Sequence, residues 1–149
     1  MSSTLQKIRG VQKYLQDEVI RRFCVPELED RAENFVKLFE NYLSPSSHIL
    51  DIGGGWGFYG APLERRGHHV VVLDAVKPRF QKVPVVLASA GKRLPFADES
   101  FDASLMITML HHTTEPEKVI QEARRVTQKT LVVIEDLYRH AAGRFLSAA

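Results

Sequence analysis

Four glycines in five positions, Gly53, Gly54, Gly55 and Gly57, follow the apolar run His48-Ile49-Leu50-Asp51-Ile52 and precede a helical candidate at Phe58–Arg66. Few architectures call for such a stretch. The chain must leave a strand, turn sharply and start a helix, and its backbone must approach another group with no Cβ in the way. The helix beyond the turn presents free N–H groups and a partial positive charge. His48 to Arg66 therefore reads as a strand, a ligand-cradling loop and a helix.

The rest of the chain fits around that unit. Short apolar runs at His69–Leu73, Val83–Leu87, Ala103–Met109 and Thr130–Ile134 lack polar alternation, the pattern of parallel strands covered on both faces. A further helix is predicted at Glu115–Thr127, whereas Lys77–Lys82 is too short and proline-flanked to form one. Alternating strands and helices of this kind predict an α/β fold, a Rossmann-like, doubly wound, mostly parallel sheet with right-handed crossovers.

Before the sheet, residues 1–43 read as a helical segment, and 44–149 as the ligand-binding domain. Leu5, Ile8, Val11, Leu15, Val19 and Phe23 form one stripe of an amphipathic helix over residues 3–24, which Pro26 is expected to end. A second helix is predicted from Glu27 to Leu43, with Phe35, Leu38, Phe39 and Tyr42 on one face, stopped by Ser44-Pro45-Ser46-Ser47.

Composition narrows the function classes. The 149 residues are 44% hydrophobic and 26% charged, an ordinary globular balance. A net charge of +2, with basic residues scattered, gives no reason to expect nucleic acid. No run approaches the ~18 apolar residues of a membrane span, and the start MSSTLQKIRGVQK has no apolar leader core. The single cysteine, Cys24, excludes an intrachain disulfide and suits a reducing, cytoplasmic setting. No metal is expected.

Two cofactor readings fit the glycine loop. Gly55-Trp56-Gly57-Phe58-Tyr59-Gly60 satisfies the G-x-G-x-x-G dinucleotide fingerprint. Asp51-Ile52-Gly53-Gly54-Gly55-Trp56-Gly57 satisfies D-x-G-x-G-x-G, which resembles motif I of class I methyltransferases. Register favours the second, because Gly53 already closes the strand and Gly55 would start two residues late. Asp51 also sits poorly beside a pyrophosphate but suits the ammonium and sulfonium charges of S-adenosylmethionine. Asp74, at the end of the second strand, is placed to accept hydrogen bonds from vicinal ribose hydroxyls in either reading.

Leu94-Pro95-Phe96-Ala97-Asp98-Glu99-Ser100-Phe101-Asp102, the apolar strand to Leu110 and then His111-His112 carry the resemblance further. With Glu122-Ala123-Arg124-Arg125-Val126 they are similar, in order, to small-molecule methyltransferases of the ubiquinone and menaquinone biosynthesis group, over about residues 35–137. The resemblance implies an S-adenosylmethionine-dependent methyltransferase acting on a small-molecule or lipid-like acceptor. It implies that Asp51, Gly53, Gly55 and Gly57 line the methionine end of the cofactor and that Asp74, with Ala75 beside it, holds the ribose. Ala90 and Gly91 border the adenine, Met106 and Ile107 contribute backbone at the end of the fourth strand, and Leu94 and Phe96 pack under the cofactor loop.

His111 and His112 are the catalytic candidates, one of them as a base or as an orienting group for the acceptor. An alternative is a non-catalytic or truncated S-adenosylmethionine-binding scaffold. Three departures bear on it. Ala90 replaces a common aspartate, at a cost of about 1 kcal/mol for a lost adenine contact. The turn Thr127–Thr130 is short. Leu137–Ala149 reads as helical, so the C-terminal β-hairpin that the resemblance implies is not expected within residues 1–149, as in a fragment or a naturally shortened form. The bare edge of the fifth strand is then expected to recruit a second copy or another partner.

Overall fold

The computed structural model describes residues 18–135, so the expected helical stretches over residues 3–17 and 137–149 lie outside the described residues. Five strands form one sheet: β1 (His48–Ile52), β2 (His69–Asp74), β3 (Val85–Leu87), β4 (Phe101–Ile107) and β5 (Thr127–Ile134). Their order is β3-β2-β1-β4-β5 and every pairing is parallel. Among the described residues three α-helices flank the sheet: α1 (Val25–Phe39), α2 (Gly60–Arg65) and α3 (Pro116–Val126). Because β1 connects outward to β2 and β4 outward to β5, the topological switch point falls between β1 and β4, where open α/β sheets bind ligands.

The sheet has a packed core on each face. On one face Val36 and Phe39 of α1 and Leu63 of α2 pack on Ile49, Val70, Val72, Ala103 and Leu105. On the other, Val119, Ala123 and Val126 of α3, with Leu94, pack on Leu50, Ile52, Leu73 and Met106. The even and odd positions of β1 thus serve opposite layers, as a strand buried on both sides requires.

Several boundaries differ from the expectations. Pro26 does not end a helix; it lies in the first turn of α1. A π-helical turn over Ile20–Cys24 precedes it, with the Val25 N–H bonded to the Ile20 carbonyl. The wider turn makes room where a proline ring would otherwise meet the carbonyl four residues back. The buried stripe of α1 is Ala32, Val36 and Phe39, while Leu38 and Tyr42 are 68% and 73% exposed. At 100° per residue, 38 falls away from 32, 36 and 39, and Tyr42 lies beyond α1 in a tighter turn over Glu40–Tyr42.

β4 begins and ends two residues earlier than its apolar run, β3 is shorter at its start, and α2 starts at Gly60 after an irregular turn. Leu94 and Phe96 pack with the α3 side of the sheet, Phe96 edge-on to Phe101, and not beneath the glycine loop.

No helix joins β2 to β3 or β3 to β4, and side chains hold the second of these crossings. Arg125 of α3 donates to the carbonyls of Leu94 and Phe96 and to the Asp98 and Glu122 carboxylates. Glu122 accepts the Leu94 N–H at 2.8 Å. The two sequence motifs around Leu94 and Glu122 are thus one network clamping the chain before β4 to α3. Among the described residues no helix is long and apolar enough to cross a membrane.

Arg125→Met is expected to lower the urea midpoint clearly more than Lys129→Met, which removes a more exposed contact to Asp102. Equal midpoints for the two variants would contradict the clamp.

Candidate functional site

The glycine loop leaves β1 at its carboxyl end. The Gly53 N–H donates to the Leu73 carbonyl at 2.7 Å, carrying the β1–β2 pairing one step beyond the strand. Gly53, Gly55 and Gly57 have φ of 72°, 54° and 77°. Gly55 is the telling position. Nothing lies within 4 Å of a Cβ built there, so its conformation alone demands glycine and the space above it is open.

Asp74 fastens this loop. Its Oδ2 accepts the Gly55 N–H at 3.0 Å and its Oδ1 the Val76 N–H at 2.8 Å. Each carboxylate oxygen keeps a second lone pair for another donor.

Asp51 has the opposite surroundings. It shares the α1–α2 face of β1 with Ile49, lies directly beneath Gly54 where any side chain would run into it, and is 1% exposed. Neither of its carboxylate oxygens has a hydrogen-bond partner. Burial, and then the negative charge of Asp74, push its pKa up to about 7.

Two cavities open at the switch point. The larger, about 650 Å³, lies between the ends of β1 and β2 and the loops after β3 and β4; Asp74, Ala75, Ala90, Gly91 and Glu115 border it. The smaller, about 290 Å³, lies between the glycine loop, α1 and the end of β4, bordered by Arg31, Gly55, Trp56, Ile107 and Thr108. Gly53, Met109 and His112 border both, so a ligand passing over Gly53 reaches from one into the other.

The structure therefore brings Gly53, Gly55, Asp74, Ala75, Ala90, Gly91, Ile107 and His112 to the cavity walls. Asp51, Gly57, Met106 and His111 are not on them. Gly57 approaches Val83, and Met106 is fully buried in the α3-side core.

His111 is held elsewhere. Its Nδ1 is 2.9 Å from Glu135 Oε2, while Glu135 Oε1 accepts the N–H groups of Met109 and Leu110 at 2.8 and 2.6 Å. Burial opposes the charge of Glu135, but His111 and the two amides hold its pKa below the ordinary range. An ionised Glu135 fixes the proton on Nδ1 of His111. The His112 ring sits against that of His111, centroids 4.0 Å apart and planes tilted by 49°, which places it at the junction of the cavities.

Thr108 has φ of 50°, an outlier for a β-branched residue, held by its N–H bond to the Ile134 carbonyl at 2.7 Å. Neither Thr108 nor Glu135 stood out in the sequence. The available signal for Glu135 was a carboxylate just beyond a strand, the same signal that Asp74 carries.

The family model for a methyltransferase domain matches residues 50–133, more than half of the chain. The chain belongs to the methyltransferase-domain family. The demethylmenaquinone methyltransferase of Renibacterium salmoninarum is 35% identical over 99 residues, 61% of this chain and 42% of that protein. An S-adenosylmethionine-dependent methyltransferase of Methanosarcina mazei superposes with a TM-score of 0.53 at 26% identity, over 61% of this chain and 52% of that chain. A Pyrococcus horikoshii protein reaches 0.68 at 24% identity, over 80% of this chain and 59% of that chain, a likeness of fold.

The chain spans less than half the length of the curated relatives it matches. Within the methyltransferase domain, the matched span contains the glycine loop, Asp74, His112 and the Arg125 clamp; α1 and Glu135 fall outside it.

The orphaned Asp51 carboxyl makes a testable demand on stability. Its raised native pKa means that its stabilising contribution is full below its ordinary value near 3.8 and is lost as pH rises through about 7. Relative to Asp51→Asn, the wild type should therefore gain roughly 2 kcal/mol of unfolding free energy between pH 8 and pH 5. Parallel urea curves for the two proteins across that range would contradict the buried, unpartnered acid.

Proposed function

We propose that this chain binds S-adenosylmethionine across the two cavities and transfers its methyl group to a small-molecule or lipid-like acceptor. Asp74 carries the reading. It sits at the rim of the larger cavity, already fixed by the Gly55 and Val76 amides, with free lone pairs for a pair of vicinal hydroxyls. The nucleoside then lies in the larger cavity, with Ala90 and Gly91 beside the base, and the methionine passes over Gly53 toward Gly55. Ala90 offers a methyl group to the base, so adenine is held there by shape and by neighbouring backbone.

The fit with this cofactor rests on the protein's own groups. The open space over Gly55 is a cradle that a Cβ would narrow, and Asp51 is an unpartnered acid directly under the loop. A cation over Gly54 would offset the cost of ionising Asp51, whereas a pyrophosphate would add to it. Bound there, S-adenosylmethionine supplies an electrophilic methyl group on a cationic sulfur.

The residues of the chain supply position. The glycine loop and Asp74 hold the donor still while the acceptor approaches in line, which lowers the barrier without a dedicated acid or base. His112, at the junction, orients a hydroxyl or amine acceptor or takes its proton as the new bond forms. His111 and Glu135 support His112 by fixing the turn it stands on. Beside the smaller cavity, Trp56, Phe58 and Tyr59 give the acceptor an aromatic wall.

Calorimetric titration with S-adenosylmethionine and S-adenosylhomocysteine should show saturable binding, and NAD none. Asp74→Ala should weaken S-adenosylhomocysteine at least tenfold, whereas His112→Ala should leave it within about threefold while abolishing most transfer. Binding of NAD in preference to both sulfur compounds would overturn this function.

A further inference from the structure

Lys77, Arg79, Lys82, Lys92 and Arg93 lie within residues 75–97, a stretch without an aspartate or a glutamate. The whole chain is only +2, so the remainder is net acidic. Separated in sequence, these basic residues are gathered by the fold. They lie in the connections on either side of β3, an outermost strand of the sheet. The two connections start side by side, because Leu87 pairs with Asp74 and the Ala88 N–H donates to the Asp74 carbonyl at 2.9 Å.

Lys82 is taken by Glu29 of α1, while Lys77, Arg79, Lys92 and Arg93 are exposed. Among them two large apolar side chains face solvent, Val76 at 71% and Leu87 at 56% exposed. Val76 and Lys92 both border the larger cavity, so basic groups and apolar tips meet on one rim. The two carboxylates at that cavity are already engaged, Asp74 by two amides and Glu115 by Lys118.

One class of partner satisfies both kinds of group. Exposed Val and Leu are stabilised on leaving water for an apolar medium, and the lysines and arginines beside them by a negative surface potential. A bilayer with anionic headgroups offers the two together, with long basic side chains reaching back to the phosphates. A nucleic acid would use the charges alone. The aromatic ring in the same connection, Phe80, is packed edge-on against Trp56 at 5.0 Å and so is already engaged where a nucleobase would stack.

We propose that the rim of Val76, Lys77, Leu87 and Lys92, with Arg93 beside it, docks the protein on an anionic lipid surface. The contact is peripheral: the apolar tips enter the headgroup region and the cations meet its phosphates. It goes beyond the transferase reading and does not depend on it, since no cofactor takes part.

Cosedimentation of the full chain with vesicles tests the docking, with phosphatidylcholine alone and with an equal mixture of phosphatidylcholine and phosphatidylglycerol. The mixed vesicles should bind at least tenfold more tightly, and high salt should release the protein. Lys77→Glu with Lys92→Glu should weaken this binding at least tenfold. Arg22→Glu with Lys37→Glu, the same change in net charge at exposed positions before and on α1, should leave it within about threefold. Val76→Ser with Leu87→Ser should weaken it at least threefold at constant charge. All six positions are exposed, so urea midpoints should stay near that of the wild type. No binding to the mixed vesicles, or equal weakening by the two charge-reversed pairs, overturns the proposal. Retention by single-stranded RNA but not by the mixed vesicles overturns it in favour of a nucleic acid.

Discussion

Asp74 is the point on which the site depends. A carboxylate at the end of β2 accepts the Gly55 and Val76 amides and so decides where the glycine loop lies relative to the strand. The Gly53 N–H to Leu73 bond continues the same seam. With the loop fixed, the two cavities take their shape on either side of Gly53. Glycines take the positive φ angles of this loop without strain, so the two hydrogen bonds to Asp74 are free to set where the loop lies.

Three carboxylates stand at the ends of strands and behave differently because their neighbours differ. Asp74 has two amides and an open cavity. Glu135, after β5, has two amides and a histidine, and is held ionised despite its partial burial. Asp51, after three residues of β1, has neither amide nor cation and sits next to the charge of Asp74. The first two order the loops around the ligand. The third leaves an electrostatic deficit under the glycine loop that a cationic ligand relieves.

Much of the architecture was legible because β1, β2 and β4 are continuous apolar runs between turn-forming residues. The glycine loop announced its register through Asp51 and Gly53. What escaped the sequence was settled by tertiary geometry. Pro26 reads as a stop, yet a π-helical turn before it removes the steric conflict. Leu38 and Tyr42 read as core, yet the stripe of α1 runs through Ala32, Val36 and Phe39. His111 and His112 are indistinguishable in a sequence; Glu135, 24 residues later, draws His111 aside and leaves His112 at the cavities. Glu122 and Arg125 could be read as a motif, but only the fold shows that they clamp the Leu94–Asp98 segment.

The most direct test of this account is a crystal structure with S-adenosylhomocysteine bound. It should place the ribose hydroxyls within hydrogen-bond distance of Asp74, the adenine between Ala90 and the loop after β4, and the homocysteine over Gly53–Gly55. A ligand bound away from Asp74, or with its ribose turned from that carboxylate, would contradict it.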